Sequence, residues 1–483
     1  MSNLSKKIAL NTIISGGTRI IELILAFIII GILTRYLGRE SFGEYSIILA
    51  FLFIFNVLAD FGLYSIVVRE ISKPGADEKK IASNAFTIRF LIGFLIFISA
   101  FFIACLFPYD IIVKQGILIG AFGFWFLSMG QVLMGVFQKY LRMDKVAFAE
   151  LASRIIQVIL ILWFVKLGFG LLFIICALTI SSFAYFILVF IFVQKHICVR
   201  FQFDFAFWKK ILRQSWTLAI SAILCMIYFK LDAIFLSVMK SEGDVGIYGL
   251  SYKILESIIF FPTMFVGLVM PLLSKYAFSD LEKFKGVFQR SLDFLLITAV
   301  PLAIGTLFLS PKIIFLLSGG GFEESVLVLN ILIFACAMIF LGALFSNVII
   351  ARNLQKKLAK IYLAGAVVNI IANFIFIPKY SFYGAAGTTL FTEALVTVLM
   401  LAIIFKSLQY LPSFKIFFKA IFASIIMALP LYFFQEQNLF ILFPLAVGIY
   451  FLILYLIKGI SKEDILMIIR REIKDSVDNP SGL

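Results

Sequence analysis

Residues 170–194 read GLLFIICALTISSFAYFILVFIFVQ. Twenty-five positions pass without a Lys, Arg, Asp, Glu or His. As a helix rising 1.5 Å per residue, the run exceeds the roughly 30 Å of hydrocarbon in a bilayer. The rest of the chain repeats the pattern. Of 483 residues, 63% are hydrophobic and only 14% charged, with a mean hydropathy of +1.09. An ordinary soluble domain is about 45–50% apolar and about 25% charged, and a soluble protein this apolar would aggregate through exposed patches.

Fourteen such blocks occur, at about 11–34, 42–68, 83–107, 112–137, 147–166, 170–194, 214–238, 246–273, 290–310, 325–351, 359–377, 382–405, 416–434 and 439–457. Each limit is set to within about four residues. Barrel strands would be about ten residues long and alternate polar with apolar. That alternation is absent, so the chain reads as an all-α polytopic membrane protein of about fourteen transmembrane helices. Lys6 and Lys7 precede the first run as in a signal peptide, but no small-residue cleavage site follows, so it reads as a retained span.

The net charge of +15 follows the loops. With the N-terminus in the cytoplasm, inside segments hold about 30 of the 42 basic residues and outside loops about seven. This alternation places both termini in the cytoplasm, and it argues against a nucleic-acid partner. The external loops are short; the longest, Ser310 to Glu324, contains Gly319-Gly320-Gly321. The largest internal loop, Lys195 to Arg213, includes QFDFAFWKK, suited to the membrane interface. From Ser461 an amphipathic helix is expected, with Ile465, Ile468, Ile469 and Ile473 on one face and Arg470, Arg471 and Lys474 toward anionic lipid; a solvated polar tail is the competing reading.

An internal repeat is visible. Phe42-Gly43-Glu44-Tyr45 opens the second span and Val245-Gly246-Ile247-Tyr248 the eighth, an offset of 203 residues or six spans. A weaker echo links Gly168-Phe169-Gly170 with Tyr383-Gly384-Ala385-Ala386. Six spans per repeat give both halves one orientation, an architecture that in transporters places substrate between the halves near the midplane. The expected organisation is an N-terminal six-helix lobe over 1–194, a cytoplasmic interfacial linker over 195–213, a second six-helix lobe over 214–405, an additional helix pair over 406–457 and a tail over 458–483.

Five basic residues lie inside the spans: Arg19, Arg89, Arg154, Lys230 and Lys253. Glu22, Asp60, Glu150, Asp232, Glu256 and Glu393 are the acidic residues at membrane depth. Each charge costs at least about 2.5–3.5 kcal/mol at a helix centre, so they should face the protein interior or a watery cavity. Arg19 with Glu22, and Lys253 with Glu256, are spaced i,i+3; Glu150 and Arg154 are spaced i,i+4. Each pair shares a helix face and could simply lock packing. Arg89 has no acid within four residues, and Lys230 and Asp232 point different ways.

Arg19, Arg89 and Arg154 fall about two turns in from the cytoplasmic face and would coat a vestibule there. Guanidinium groups bind phosphate by paired hydrogen bonds, so an anionic headgroup such as a pyrophosphate is the expected substrate class. The expected substrate-binding set is Arg19, Arg89, Arg154, Lys230 and Lys253. Asp60, Asp232, Glu256 and Glu393 are candidates for proton or cation coupling, with ion pairing equally open.

Several chemistries are excluded. His196 is the only histidine, and the five cysteines are dispersed with no CxxC, so neither a metal site nor a catalytic triad is expected. No G-x-x-x-x-G-K-S/T loop, H-E-x-x-H or G-x-S-x-G occurs. No cofactor is expected, and ion or potential-driven transport fits better than ATP hydrolysis.

Leu33-Thr34-Arg35-Tyr36-Leu37-Gly38, Phe42-Gly43-Glu44-Tyr45, Asp60-Phe61-Gly62-Leu63 and Arg69-Glu70 resemble the opening of Wzx-type polysaccharide repeat-unit flippases, which serve O-antigen and capsule synthesis. These belong to the multidrug/oligosaccharidyl-lipid/polysaccharide exporter superfamily. Asp232-Ala233-Ile234-Phe235-Leu236, Val245-Gly246-Ile247-Tyr248 and Pro378 with Tyr383-Gly384-Ala385-Ala386 are similar to the second half of that family. The resemblance implies two six-helix lobes around a cationic cavity. It also implies alternating access carrying an undecaprenyl-pyrophosphate-linked oligosaccharide to the periplasmic leaflet. Polysaccharide polymerase and chain-length regulator are the implied neighbours, with membrane lipids. Competing readings are a lipid II flippase, a cation-coupled multidrug exporter of the same superfamily, and a membrane polymerase or ligase. The last usually carries a large periplasmic loop, and none is visible here.

Overall fold

The structure, a computed structural model, describes residues 3–73 and 75–459, with the side chains of 3–16, 217–222 and 224–228 left aside. The amphipathic helix expected from Ser461 lies outside the described residues. Thirteen helices and no strands are present among the described residues: α1 (Asn3–Asp60), α2 (Leu63–Ile71), α3 (Glu78–Cys105), α4 (Ile111–Lys139), α5 (Met143–Lys166), α6 (Leu171–Gln194), α7 (Phe205–Met239), α8 (Glu242–Tyr276), α9 (Leu281–Ser318), α10 (Ser325–Ala351), α11 (Gln355–Leu408), α12 (Lys415–Phe433) and α13 (Leu439–Leu456).

Two of these are double spans. In α1, Gly38 takes φ 70° and ψ −172°, and in α11 Ser381 takes φ 49° and ψ −130°. Each breaks the helix at a single residue where the sequence suggested a short loop. The nine-residue α2 only extends the second span. Among the described residues eleven helices are long and apolar enough to cross a membrane, the broken α1 and α11 each taken as one, so the fourteen spans read from hydropathy are an approximate count. They run as six through Gln194, six from Phe205 to Leu408, and the final pair α12 and α13. The 203-residue offset sets Gly38 opposite Ser241, which with Lys240 separates α7 from α8. The break that splits the first two spans therefore recurs in the second six.

Helix starts are set by side chains that accept orphan backbone N–H groups. Asp77 accepts from Lys80 N at 2.9 Å, Asp204 from Phe207 N at 2.9 Å, Asp280 from Lys283 N at 3.0 Å and Asn438 from Phe440 N at 3.0 Å. The Asp204 cap shortens the internal loop read over Lys195 to Arg213, because α7 already begins at Phe205.

The chain divides into two compact units, Ser2–Gly249 and Leu250 onward. In the first, α1 packs against α3, α4, α5, α6 and α7, and α4 also packs on α3 and α6. Its core includes Val67, Phe86, Leu133, Val136, Tyr185 and Val189. In the second, α9 packs against α10 and α12, α10 against α11, and α12 against α13. Leu309, Met427, Leu431, Leu442 and Tyr450 interlock there. Apolar side chains such as Leu95, Phe102, Leu268, Phe376, Phe418 and Phe440 are exposed, the expected finish of a surface solvated by lipid. Helix association in that solvent rests on close packing and polar contacts rather than on water release.

Candidate functional site

The first charged cluster joins α1 to α5. Arg19 Nη1 donates to Glu22 Oε2 at 2.8 Å, one turn on along α1. Its Nη2 lies 3.3 Å from Glu150 Oε2 on α5. Arg154, one turn beyond Glu150, donates to Gln157 Oε1 at 2.9 Å. The i,i+4 spacing suggested that Glu150 and Arg154 neutralise each other, but Glu150 is held by Arg19 from the neighbouring helix. Arg154 remains within electrostatic range of Glu150, and Tyr185 of α6 is within range of Arg19, Glu22 and Glu150. Arg19 keeps 41% of its side chain exposed. Glu22 Oε1 is buried without a hydrogen-bond partner among the described residues.

The second cluster is buried on its Arg89 side and half-open at Asp60. Arg89 on α3 is 0% exposed and the largest fully buried side chain described. It donates to the Ala59 carbonyl and to Asp60 Oδ1. The local backbone explains why. Phe61 and Gly62 take φ of 45° and 71°, which stops α1 at Asp60 before α2 starts. Carbonyls in the last turn of a helix lose their amide partners, and in a membrane nothing else replaces them cheaply. Arg89 satisfies one such carbonyl and neutralises the terminal carboxylate. Arg89 and Asp60, read from sequence as a substrate ligand and an ion carrier, are thus each other's partner.

The remaining expected residues lie on α7, α8 and α11. Lys230 Nζ lies over the Phe53 ring at 4.9 Å, a cation–π contact. Asp232, 1% exposed, accepts from Tyr248 Oη at 3.4 Å. In the second unit, Lys253 pairs with Glu256 at 2.9 Å as the i,i+3 spacing suggested, and Glu393 is buried within electrostatic range of Cys336.

One polar site was not anticipated. Asn84 on α3, 1% exposed, accepts from Asp204 N at 3.0 Å and Trp208 Nε1 at 2.9 Å. It donates to Lys80 O at 2.9 Å and Gln202 Oε1 at 3.2 Å. Beside it, Ser83 accepts from Arg200 N at 3.1 Å and Thr87 from Gln202 N at 3.0 Å. Every second amide of the extended stretch 200–204 thus lands on one polar stripe of α3. Lys80 Nζ reaches Asp204 Oδ2 at 2.7 Å, and the Lys80 hydrogen bond holds the Asp204 carboxyl below the usual carboxylate range. The signal in the sequence was Ser83, Asn84 and Thr87 at helical spacing ahead of Arg89 in a mostly apolar run.

Comparison with known proteins adds the following. Residues 8–277 match the model of a family described as polysaccharide biosynthesis protein. A putative O-antigen transporter of Shigella dysenteriae is 24% identical over 396 residues, covering 78% of this chain and 94% of that protein. A probable flippase of Haloferax volcanii, AglR, is 27% identical over 196 residues, which span 39% of this chain and 40% of AglR. Among solved structures, the lipid II flippase MurJ in an inward closed conformation superposes with a TM-score of 0.76 at 17% identity, covering 96% of this chain and 99% of that one. An inward-facing multidrug resistance MATE family transporter of the MOP superfamily gives 0.64 at 14%, covering 82% and 98%. At these identities the structures establish the fold, which is the one the sequence resemblance implied.

Proposed function

Because the chain belongs to the polysaccharide biosynthesis protein family, we propose that it is a flippase for lipid-linked oligosaccharide, carrying an undecaprenyl-pyrophosphate-linked repeat unit from the cytoplasmic to the periplasmic leaflet for O-antigen, capsule or exopolysaccharide synthesis. The description of the Shigella dysenteriae relative as a putative O-antigen transporter supports the class of cargo, and that of the Haloferax volcanii relative as a probable flippase supports the class of transport. In this reading the protein is a transporter and not an enzyme. It works by alternating access of the lobes 1–194 and 214–405 in a bacterial inner membrane, with both termini cytoplasmic. A polysaccharide polymerase and a chain-length regulator act on the delivered unit.

The observation that carries the reading is the cluster of Arg19 and Arg154 around Glu150 at membrane depth, inside the matched region. Two guanidinium groups offer the paired donors that a pyrophosphate recognises. Arg19 is already paired with two carboxylates, so an arriving pyrophosphate would replace one acceptor set with another at the same donor. Lys230 and Lys253 are secondary candidates for headgroup contact, and Asp232, Glu256 and Glu393 for ion coupling. Asp60 and Arg89 serve the site only by holding α1, α2 and α3 in place.

Deleting the gene in its native bacterium and measuring polyprenyl-linked intermediates by mass spectrometry tests the proposal. Accumulation of a single lipid-linked repeat unit with loss of surface polymer is the expected result. Unchanged polymer with new sensitivity to cationic drugs would identify a small-molecule exporter instead.

A further inference from the structure

One face of α3 carries a cation at its start and aromatic rings along its length. Lys79, Ser83, Phe86, Phe90, Phe94 and Phe97 follow one another at spacings of three and four, which return a helix to the same face. From the extended stretch 200–204, the Phe201 ring packs on this face, 5.5 Å from Phe86 and 5.1 Å from Phe90. Trp125 of α4 continues the row, 5.0 Å from Phe90 and 5.2 Å from Phe94, and its Nε1 donates to the Phe90 carbonyl at 3.0 Å. The row ends in an open notch of about 200 Å³ lined by Phe94, Phe97, Ile98, Ala121, Phe122 and Trp125.

The row is open at the protein surface, since Phe201, Phe94 and Phe122 are exposed. Its polar end carries unbalanced positive charge. Ser83 accepts from Arg200 N at 3.1 Å, which sets Arg200 about one turn from Lys79. Both basic side chains are exposed, and neither has an ion-pair or hydrogen-bond partner among the described residues. The carboxylates around them are engaged elsewhere. Asp77 accepts from Lys80 N, Glu78 from Lys139 Nζ and Tyr140 Oη, and Asp204 from Lys80 Nζ. A guanidinium and an ammonium left without a carboxylate fit a phosphate oxygen from outside the chain.

Depth decides which molecule fits. On the positive-inside topology the start of α3 is cytoplasmic. At 1.5 Å per residue, Phe94 and Ile98 lie about 12 and 18 Å deeper than Phe86. One leaflet of a hydrocarbon core roughly 30 Å thick is about 15 Å deep, so the notch lies where the acyl chains of the cytoplasmic leaflet end. We propose that this face of α3 and α4 is a binding site for an anionic glycerophospholipid of that leaflet. Its phosphate meets Lys79 and Arg200, and one acyl chain runs along Phe201, Phe90 and Trp125 with its end in the notch. Each basic side chain beside an anionic headgroup contributes roughly fivefold in binding. The site is built on α3, α4 and the stretch 200–204, whereas Arg19 and Arg154 are on α1 and α5. It rests on the membrane topology and not on the flippase reading.

The test uses the full chain with Leu95→Cys in a version lacking the five native cysteines. Leu95 is exposed beside the notch without lining it, so a bimane label there reports on the notch and leaves it open. The labelled protein is reconstituted in phosphatidylcholine vesicles containing a small fraction of nitroxide-labelled lipid, the nitroxide being on the acyl chain. Phosphatidylglycerol is expected to quench the bimane at a several-fold lower mole fraction than phosphatidylcholine. Lys79→Gln with Arg200→Gln is expected to remove that preference, and both side chains are exposed, so folding is spared. Equal quenching by the two lipids would overturn the proposal, and so would a preference that survives the double substitution. Unlabelled phosphatidylglycerol is expected to restore the fluorescence. Undecaprenyl phosphate that restores it at lower mole fraction than phosphatidylglycerol would assign the face to a polyprenyl chain and overturn the phospholipid site.

Discussion

The Arg89 guanidinium closes on the Asp60 carboxylate and the Ala59 carbonyl at the point where α1 ceases to be helical. Asp60 keeps 35% of its side chain exposed, so the pair is buried on the Arg89 side only, and removing one partner, which leaves the other unpaired, costs less than the roughly 3–5 kcal/mol of a fully buried pair. Arg89→Ala is therefore expected to lower the melting temperature and the amount of folded protein. Arg89→Ala with Asp60→Ala together should cost less than the sum of the two. Thermal unfolding of the detergent-solubilised protein measures both. Loss of export in Arg89→Ala should then track the folded amount; an Arg89→Ala protein that melts like wild type yet exports nothing would return Arg89 to the substrate-binding set.

Arg19 and Arg154 should behave differently. Arg19 is held by two carboxylates and Arg154 by the neutral Gln157, and neither closes a broken helix. A hydrogen bond involving a charged group contributes about 1.5–3 kcal/mol, which corresponds to roughly 10- to 150-fold in affinity. Arg154→Ala at wild-type abundance is expected to reduce polymer export at least tenfold. Arg154→Lys should recover only part, since an ammonium cannot present two parallel donors. Quantifying surface polymer against membrane protein separates this from a folding defect. Full export by Arg19→Ala and Arg154→Ala alike would remove the pyrophosphate site.

The strap formed by residues 200–204 depends on Asn84 and Asp204. Asn84→Ala removes an acceptor for two donors at once, so amide exchange at Asp204, and at Arg200 and Gln202 beside it, is expected to speed up several-fold in hydrogen–deuterium exchange. Asp204 adds a pH signature. Its folded pKa lies below its ordinary value through the Lys80 hydrogen bond, so its stabilising effect is fully present above about pH 4–5 and is lost as pH falls through the depressed value. The melting-temperature gap between wild type and Asp204→Asn should be present at pH 7 and close on acidification. A gap independent of pH would mean that the carboxylate charge plays no part.

Which features could be read in advance follows from how far their causes reach along the chain. Span positions were legible because each is set by its own run of apolar residues. The pairs Arg19–Glu22 and Lys253–Glu256 were legible for the same reason, since three residues return a helix to the same face. Arg89 with Asp60 and Arg19 with Glu150 lie 29 and 131 positions apart, and helical periodicity says nothing about which neighbour a face will meet. The repeat was visible through Gly43 and Gly246, but not that the two copies pack on each other. The turn at Gly38 read as a short loop because one glycine in the left-handed region looks, in sequence, like any polar gap between spans.

The orientation can be tested with cysteines the chain already carries. Cys105 is exposed at the end of α3 and Cys198 is exposed in the stretch before α7, whereas Cys336 is buried. The positive-inside assignment puts Cys105 on the external side and Cys198 in the cytoplasm. In single-cysteine versions, an impermeant maleimide added to intact cells is expected to label Cys105 and to spare Cys198. Permeabilising the inner membrane should then expose Cys198. Labelling in the opposite order would invert the topology and move Arg19 and Arg154 to the side where the cargo leaves. The flippase would then need a different loading site, because a headgroup synthesised in the cytoplasm could not reach those arginines before crossing.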